Sequence, residues 1–318
     1  MTLFGNNFKV KDKLVVITGG SQGVGAEFAK QLFNKGADVI IISRTASKLK
    51  SVCDQISQQR TPADTKNYIE YIVADVSEYK GCQGVFEHEL LKTRKPDIVM
   101  CCAGSSAPGL FLDLTPESLE SGVKTNYNTA VYFAHAALKH MTTVSDGQSV
   151  PSERRHLVVF SSVVAFFPFI GYGQYAPLKA GIRALSDVLR QECIPYNIRV
   201  SAVFPGNFDS EGYVEENKTK PEITSIIEGP SEAISCELCV KKILSQLEWG
   251  YEMVTTDNIG WVLGCSMLGA SPRSWWLFQA IMAFIFALIA PVASGVVNWQ
   301  IKHYFKHKQA EEVQKKDD

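Results

Sequence analysis

Six short apolar runs set the rhythm of the chain: residues 14–18, 38–43, 68–74, 97–101, 157–161 and 198–204. Most are rich in Val and Ile and do not alternate with polar residues. A strand that is apolar on both faces is buried on both, as in a parallel sheet covered by helices. Longer stretches with helical patterning lie between and after the runs, at residues 26–34, 116–140, around Tyr175 and at 231–247. This alternation predicts an α/β, Rossmann-like, doubly wound parallel sheet whose ligand crevice lies at the carboxyl ends of the strands.

Three stretches depart from the rhythm. Residues 142–155 are polar with Gly and Pro, an exposed loop. Residues 207–229 are polar with little apolar periodicity. After the last core strand, such a segment reads either as a lid over substrate or as a disordered surface loop. From Arg273 to Lys302 no intervening residue is charged, so 274–301 exceeds the roughly 20 residues needed to cross a bilayer. Trp275 and Trp276 at one end, and Trp299 and Tyr304 at the other, match interfacial aromatic belts. Pro291, Ser294 and Gly295 leave open whether it spans the membrane or lies in it, and a buried core or oligomer helix is the other reading. The expected organisation is a catalytic unit over 1–260, a hydrophobic membrane-associated region over 261–305 and a polar tail over 306–318. The tail ends Lys315-Lys316-Asp317-Asp318, similar to the dilysine retrieval signal of endoplasmic-reticulum membrane proteins that face the cytosol.

Composition narrows the classes. A formal net charge of -1 gives no footing for a nucleic-acid partner. The eight cysteines lack metal-ligand spacing, and the isolated Cys236-x-x-Cys239 reads as reduced packing cysteines. The N-terminus has no apolar core of a secretory signal peptide.

The candidate chemistry falls at the strand ends. Gly19-Gly20-Ser21-Gln22-Gly23-Val24-Gly25 follows the first run and opens a helix. There, Gly19, Ser21, Gly23 and Gly25 would let backbone approach a pyrophosphate held at the helix N-terminus. The second run ends at Ser43-Arg44, where an acidic residue would grip the ribose of NAD. A guanidinium pairs with a 2′-phosphate instead, so NADPH is preferred over NADH. Lys48 either assists or is a solvated surface lysine. Asp75 would accept from the adenine amino group or cap the next helix. The small residues around Gly104 would let a cofactor lie against the backbone. Asn126, inside a predicted helix, is a surface residue, holds a water or breaks the helix near the site. Tyr175 and Lys179 share a helix face, and a lysine beside a phenol favours the phenolate. Ser162, thirteen residues before Tyr175, would fold back to donate to the oxygen that Tyr175 protonates, which suits proton transfer to a carbonyl receiving a hydride. The bland alternative is a buried aromatic with a surface lysine.

Together, Thr18-Gly19-x-x-x-Gly23-x-Gly25, Asp75, Ala103-Gly104, Asn126, Ser162, Tyr175-x-x-x-Lys179 and Pro205-Gly206 resemble the short-chain dehydrogenase/reductase superfamily over about residues 10–260. Ser43-Arg44, Cys102-Ala103-Gly104 and the stretch from Pro205 to Glu222 are similar to the fungal 3-ketodihydrosphingosine reductases. The resemblance implies NADPH-dependent reduction of a long-chain sphingoid ketone at the endoplasmic-reticulum membrane, with the catalytic domain facing the cytosol. It implies that Tyr175 is the general acid, Lys179 binds the nicotinamide ribose, Ser162 polarises the ketone and Asn126 anchors a relay water. It also implies a dimer or tetramer paired through the helices of Asn126 and Tyr175. Cys101-Cys102 stands where the superfamily commonly has two asparagines, which leaves open what steadies that loop. For such a lipid, an apolar crevice roofed by Phe166, Phe167, Phe169 and residues 207–229 is expected. Rival readings are a reductase of steroids, retinoids or 3-ketoacyl thioesters, and a non-catalytic cofactor-binding membrane scaffold.

Overall fold

The computed structural model describes residues 6–59, 66–143, 152–230, 232–267 and 269–317. Residues 144–151 of the expected polar loop lie outside the described residues, as do Asp318 and the side chains of Lys315 and Lys316 at the dilysine-like end.

The strands are β1 (Leu14–Thr18), β2 (Asp38–Ser43), β3 (Ile69–Val73), β4 (Ile98–Cys101), β5 (Arg155–Phe160) and β6 (Ile198–Phe204), then β7 (Phe208–Asp209), β8 (Ile234–Ser235) and β9 (Met253–Thr255). Seven form one parallel sheet in the order β3-β2-β1-β4-β5-β6-β9, and β7 pairs with β8. The helices are α1 (Gly23–Asn34), α2 (Ala46–Gln58), α3 (Tyr79–Glu87), α4 (Glu89–Lys92), α5 (Pro116–Val123), α6 (Thr129–Thr142), α7 (Ala176–Glu192), α8 (Glu211–Thr219), α9 (Glu222–Glu228), α10 (Cys236–Glu248), α11 (Asn258–Met267) and α12 (Trp276–Asp317).

The continuous apolar runs explain the layers. Successive strand side chains point to opposite faces, so β1 sends Leu14 and Val16 into one core and Val15 and Ile17 into the other. The first core is closed by α3, α6 and α7 through Val85, Phe133 and Ile182. The second is closed by α1, α2 and α10 through Phe28, Leu49 and Ile243. The expected doubly wound α/β sheet is therefore present. Chain order reverses between β1 and β4, which opens a crevice at their carboxyl ends.

Two expectations are corrected. The predicted helix over 116–140 is α5 and α6 joined by a π-turn at Lys124–Asn128. Thr129 there donates to the carbonyls of Thr125 (2.7 Å) and Ala103 (3.3 Å), tying the turn to the end of β4. Asn126 is buried within the π-turn, so the surface reading fails and the local break near the site is what forms. Residues 207–229 are not an irregular loop but β7 followed by α8 and α9. Ser210 caps α8 by accepting from the Tyr213 amide (3.1 Å), and Glu211 and Lys218 sit at the ends that suit their charges.

Helix α12 runs 42 residues with Pro291 inside it. By length and composition its span Trp276–Glu311 is apolar enough to cross a membrane. Trp276, Phe284, Leu288, Val292 and Trp299 are exposed on it. Trp261 of α11 stacks on Phe278, with centroids 5.7 Å apart, and Tyr304 donates to Glu222 of α9 (3.2 Å).

Candidate active site

A cavity of about 860 Å³ follows the crevice from Arg44 and Lys48, past the glycine turn, to Tyr172, Tyr175 and Ile227. Its floor demands glycine. Gly19 has φ +70°, and a Cβ there would press on the Ala103 backbone at 3.0 Å. At Gly25 a Cβ would lie 2.2 Å from the Gly19 carbonyl. The turn thus packs backbone on backbone, and Ser21 and Gly23 line the cavity beside it. At Gly19, Gly23 and Gly25 no side chain keeps a pyrophosphate from the backbone that leads into the first amides of α1.

At the outer end, burial tends to raise the Asp75 pKa, but hydrogen bonds from Ser77 outweigh it and hold the carboxyl below the ordinary range, with a smaller contribution from the charge of exposed Arg44. Asp75 does not cap α3: its carboxylate accepts from the Ser77 amide (2.9 Å) in a local turn, and the cap position belongs to Glu78. Lys48 is neither free nor merely solvated. Its Nζ donates to Gln22 (2.9 Å) and to Glu211 at the start of α8 (2.6 Å), an exposed ion pair that ties α8 to the outer rim.

At the inner end Ser162, Tyr175 and Lys179 come together. Ser162 follows β5; its hydroxyl accepts from the Val164 amide (3.4 Å) and lies close enough to the Tyr175 phenol to act on it. Lys179, one turn into α7 and only 4% exposed, donates to the Phe160 carbonyl (3.0 Å) and sits 5.4 Å from the Tyr175 ring centroid. Ser161 donates to the Lys179 carbonyl (2.8 Å), so β5 holds the lysine from both ends. The expected acidification of Tyr175 by Lys179 does not appear. Burial first, then the field of Glu216, push the phenol pKa well up; the Ser162 hydroxyl only partly opposes them. Lys179 has its own pKa lowered to about 8 by burial, with Cys102 acting the other way.

Gly104 lies against the same group, since a Cβ there would meet the Asn126 Oδ1 at 3.1 Å and the Lys179 Nζ at 3.4 Å. Asn126 accepts from the Ser105 amide (3.1 Å). The loop after Cys101-Cys102 is steadied without asparagines at those two positions: the Ala103 amide donates to Thr18 (3.3 Å), its carbonyl accepts from Thr129, and the Ser105 amide is held by Asn126. Cys236 donates to the Asp209 carbonyl (3.0 Å) and Cys239 is in the core, the packing role expected of the Cys-x-x-Cys pair.

The far wall is apolar and aromatic, with Val164, Phe167, Phe169, Ile259 and Leu263. Phe166 is not part of the roof; it turns inward and stacks on Phe204 at 4.3 Å. Helices α8 and α9 close the cavity with Tyr213, Glu216, Ile227 and Glu228. Tyr172 donates to Glu216 (2.6 Å), and Lys220 pairs with Glu228 (2.8 Å) and Glu216 (3.4 Å). Asn207 donates to Glu228 (2.7 Å). This polar group went unread in the sequence. Its only signal was the i,i+4 spacing of Glu216 and Lys220 in a segment taken for a loop.

The glycine cradle, the length of the cavity and the basic groups at its outer end fit NADPH, the larger of the two nicotinamide cofactors. The family model "short chain dehydrogenase" matches residues 13–221. The chain is 46% identical over 315 residues to the 3-ketodihydrosphingosine reductase of Debaryomyces hansenii, spanning 98% of this chain and 95% of that one. Against the Saccharomyces cerevisiae reductase of the same name it is 35% identical, spanning 94% and 97%. Among solved structures, a short-chain dehydrogenase from Sphingobium yanoikuyae in complex with NADPH matches with TM-score 0.64 at 22% identity, over 77% of this chain and 88% of that one. A Burkholderia cenocepacia short chain dehydrogenase in complex with NADP matches with TM-score 0.63 at 22% identity, over 79% and 98%. The chain belongs to the short-chain dehydrogenase/reductase superfamily and, within it, to the group of the fungal 3-ketodihydrosphingosine reductases.

Proposed function

We propose that the protein reduces 3-ketodihydrosphingosine to dihydrosphingosine with NADPH; its relatives are named 3-ketodihydrosphingosine reductases. The observation that carries this reading is the meeting of Ser162, Tyr175 and Lys179 in a cavity continuous with the glycine cradle and walled by apolar side chains. NADPH, when bound, supplies the hydride that the C3 carbonyl carbon receives. Ser162 and Tyr175 orient the ketone oxygen, and Tyr175 transfers its phenolic proton to that oxygen as the negative charge develops. The ketone, one hydride from NADPH and the Tyr175 proton would thus become a secondary alcohol, with NADP+ as the other product. Lys179 binds the nicotinamide ribose, and Asn126 anchors the water through which Tyr175 regains a proton. Arg44 holds the 2′-phosphate, with Lys48 beside it.

The catalytic unit occupies residues 1–260, and α12 holds it to the endoplasmic-reticulum membrane with the cavity on the cytosolic side. Exposed Trp276, Phe284, Leu288 and Trp299 support the membrane reading, and a substrate with a long alkyl chain concentrates in the same bilayer.

The test is NADPH oxidation by detergent-solubilised full-length protein given 3-ketodihydrosphingosine, with NADH in a parallel arm. Turnover with NADPH and little with NADH is expected. Equal turnover of a short water-soluble ketone would remove the lipid assignment. Arg44→Ala is expected to weaken NADPH binding by about 1–3 kcal/mol, the range for a charge-assisted hydrogen bond, and to leave NADH binding nearly unchanged. Equal losses for both cofactors, by titration of intrinsic fluorescence, would refute the 2′-phosphate role.

A further inference from the structure

The inner end of the cavity carries a negative charge that ketone reduction does not require. Two carboxylates, Glu216 and Glu228, share one lysine, Lys220. Lys220 lies nearer Glu228, at 2.8 Å against 3.4 Å, and Glu228 also accepts from Asn207. Glu216 is therefore the less neutralised of the two; its other partner is the neutral hydroxyl of Tyr172. Its side chain is only 15% exposed, yet it lines the cavity. A carboxylate so enclosed is stabilised by a further cation. The basic residues lining this cavity do not supply one: Arg44 and Lys48 stand at the opposite end, and Lys179 is turned onto the Phe160 carbonyl.

The position matters as much as the charge. Tyr172 and Tyr175 have ring centroids 6.1 Å apart, so Glu216 stands one aromatic ring from the proposed general acid. On the reading above, the substrate carries an amine on C2, next to the carbonyl carbon. Such an amine titrates near the range of an α-amino group and is largely protonated at pH 7. A ketone whose oxygen meets Ser162 and Tyr175 carries this nitrogen on the carbon next to the carbonyl, within the cavity that Tyr172 and Glu216 also line.

We propose that Glu216 binds the substrate's C2 ammonium, making it a specificity-determining residue that selects 2-amino ketones over neutral ketones of equal chain length. The inference rests on the proposed substrate and adds a recognition element to it. It also gives the ammonium a part in the chemistry. Glu216, only partly neutralised by Lys220, opposes loss of the Tyr175 proton; an ammonium on Glu216 weakens that field, so the phenol becomes a stronger acid once the correct substrate is seated.

The test compares 3-ketodihydrosphingosine with its N-acetyl derivative, which keeps the chain, ketone and hydroxyl but has no charge. The native protein is expected to favour the free amine in kcat/KM by about 50-fold, the scale of a charge-assisted pair made in a closed site. In Glu216→Gln, which keeps an acceptor for Tyr172, kcat/KM for the free amine falls by about the same factor, while that for the N-acetyl compound holds or rises and the NADPH Kd changes little. Glu216→Asp is expected to recover part of the preference. Equal turnover of the two ketones by the native protein overturns the inference and leaves the proposed function standing; this arm needs no variant to fold. Equal losses on both ketones in Glu216→Gln also overturn it, because the glutamate then only holds α8. No turnover of the free amine by native protein that binds NADPH overturns the proposed function itself, and this inference with it.

Discussion

Tyr175→Phe is expected to lower kcat for 3-ketodihydrosphingosine about 10³-fold, within the range for loss of a positioned general acid, while NADPH affinity stays within about a factor of two. The phenol is fixed by its place at the start of α7 and by the Tyr172 ring 6.1 Å away, and phenylalanine keeps the ring that Lys179 faces. A loss confined to kcat assigns the proton to Tyr175, whereas a parallel loss of NADPH binding would make the residue structural. The accompanying pH dependence belongs to Lys179. Its pKa is lowered to about 8 by burial, from an ordinary 10.5. Between those values the folded protein binds fewer protons than the unfolded chain at this site, so its contribution to stability rises with pH across that window. The cost appears in binding instead: NADPH affinity is expected to decline as pH passes through about 8, where the lysine loses its charge. Lys179→Arg should flatten that decline, because a guanidinium stays protonated throughout.

Lys220→Met is expected to destabilise the unit of α8 and α9 by about 3–5 kcal/mol, the range for removing one partner of a buried ion pair. The lysine side chain is 4% exposed, and its partners Glu216 and Glu228 are 15% and 16% exposed. Methionine matches the volume but leaves two enclosed carboxylates facing each other across the place of the lost charge. The sheet core does not depend on this group, so the loss should be local. Amide hydrogen exchange should accelerate across 211–228 while β1, β4 and β5 keep their protection. A uniform loss across the sheet would show instead that this unit is part of the global folding core.

The strands were legible because burial on both faces leaves little room for polar residues: β1 is apolar but for Thr18, and the middle of β2 is Val39-Ile40-Ile41-Ile42. β9 was missed since three residues make no pattern. The glycine turn announced itself through its position between a strand and a helix, and Asn126 through its poor fit to a helix interior; the π-turn is where that misfit is accommodated. Helices α8 and α9 escaped because α8 has no buried residue, so no apolar stripe marks it. It is held by a cap, by ion pairs and by contacts with residues far away in sequence. The electrostatics of Tyr175 were misjudged for a related reason. The spacing of Tyr175 and Lys179 is local information, whereas Glu216 and the burial of both groups arise only from tertiary structure. Phe166, Phe167 and Phe169 read alike as letters, yet only the backbone decides that the first faces Phe204 and the other two face the cavity.

Tyr304 of α12 reaches Glu222, the first residue of α9. One of the helices that close the cavity is therefore tied to a helix whose tilt, on the proposed reading, is dictated by hydrocarbon thickness. A thinner leaflet leans α12 further over, and the lean is passed along a lever whose short arm is α9. The enzyme's apparent affinity would then be a joint property of protein and lipid phase, set partly by the compartment that houses it.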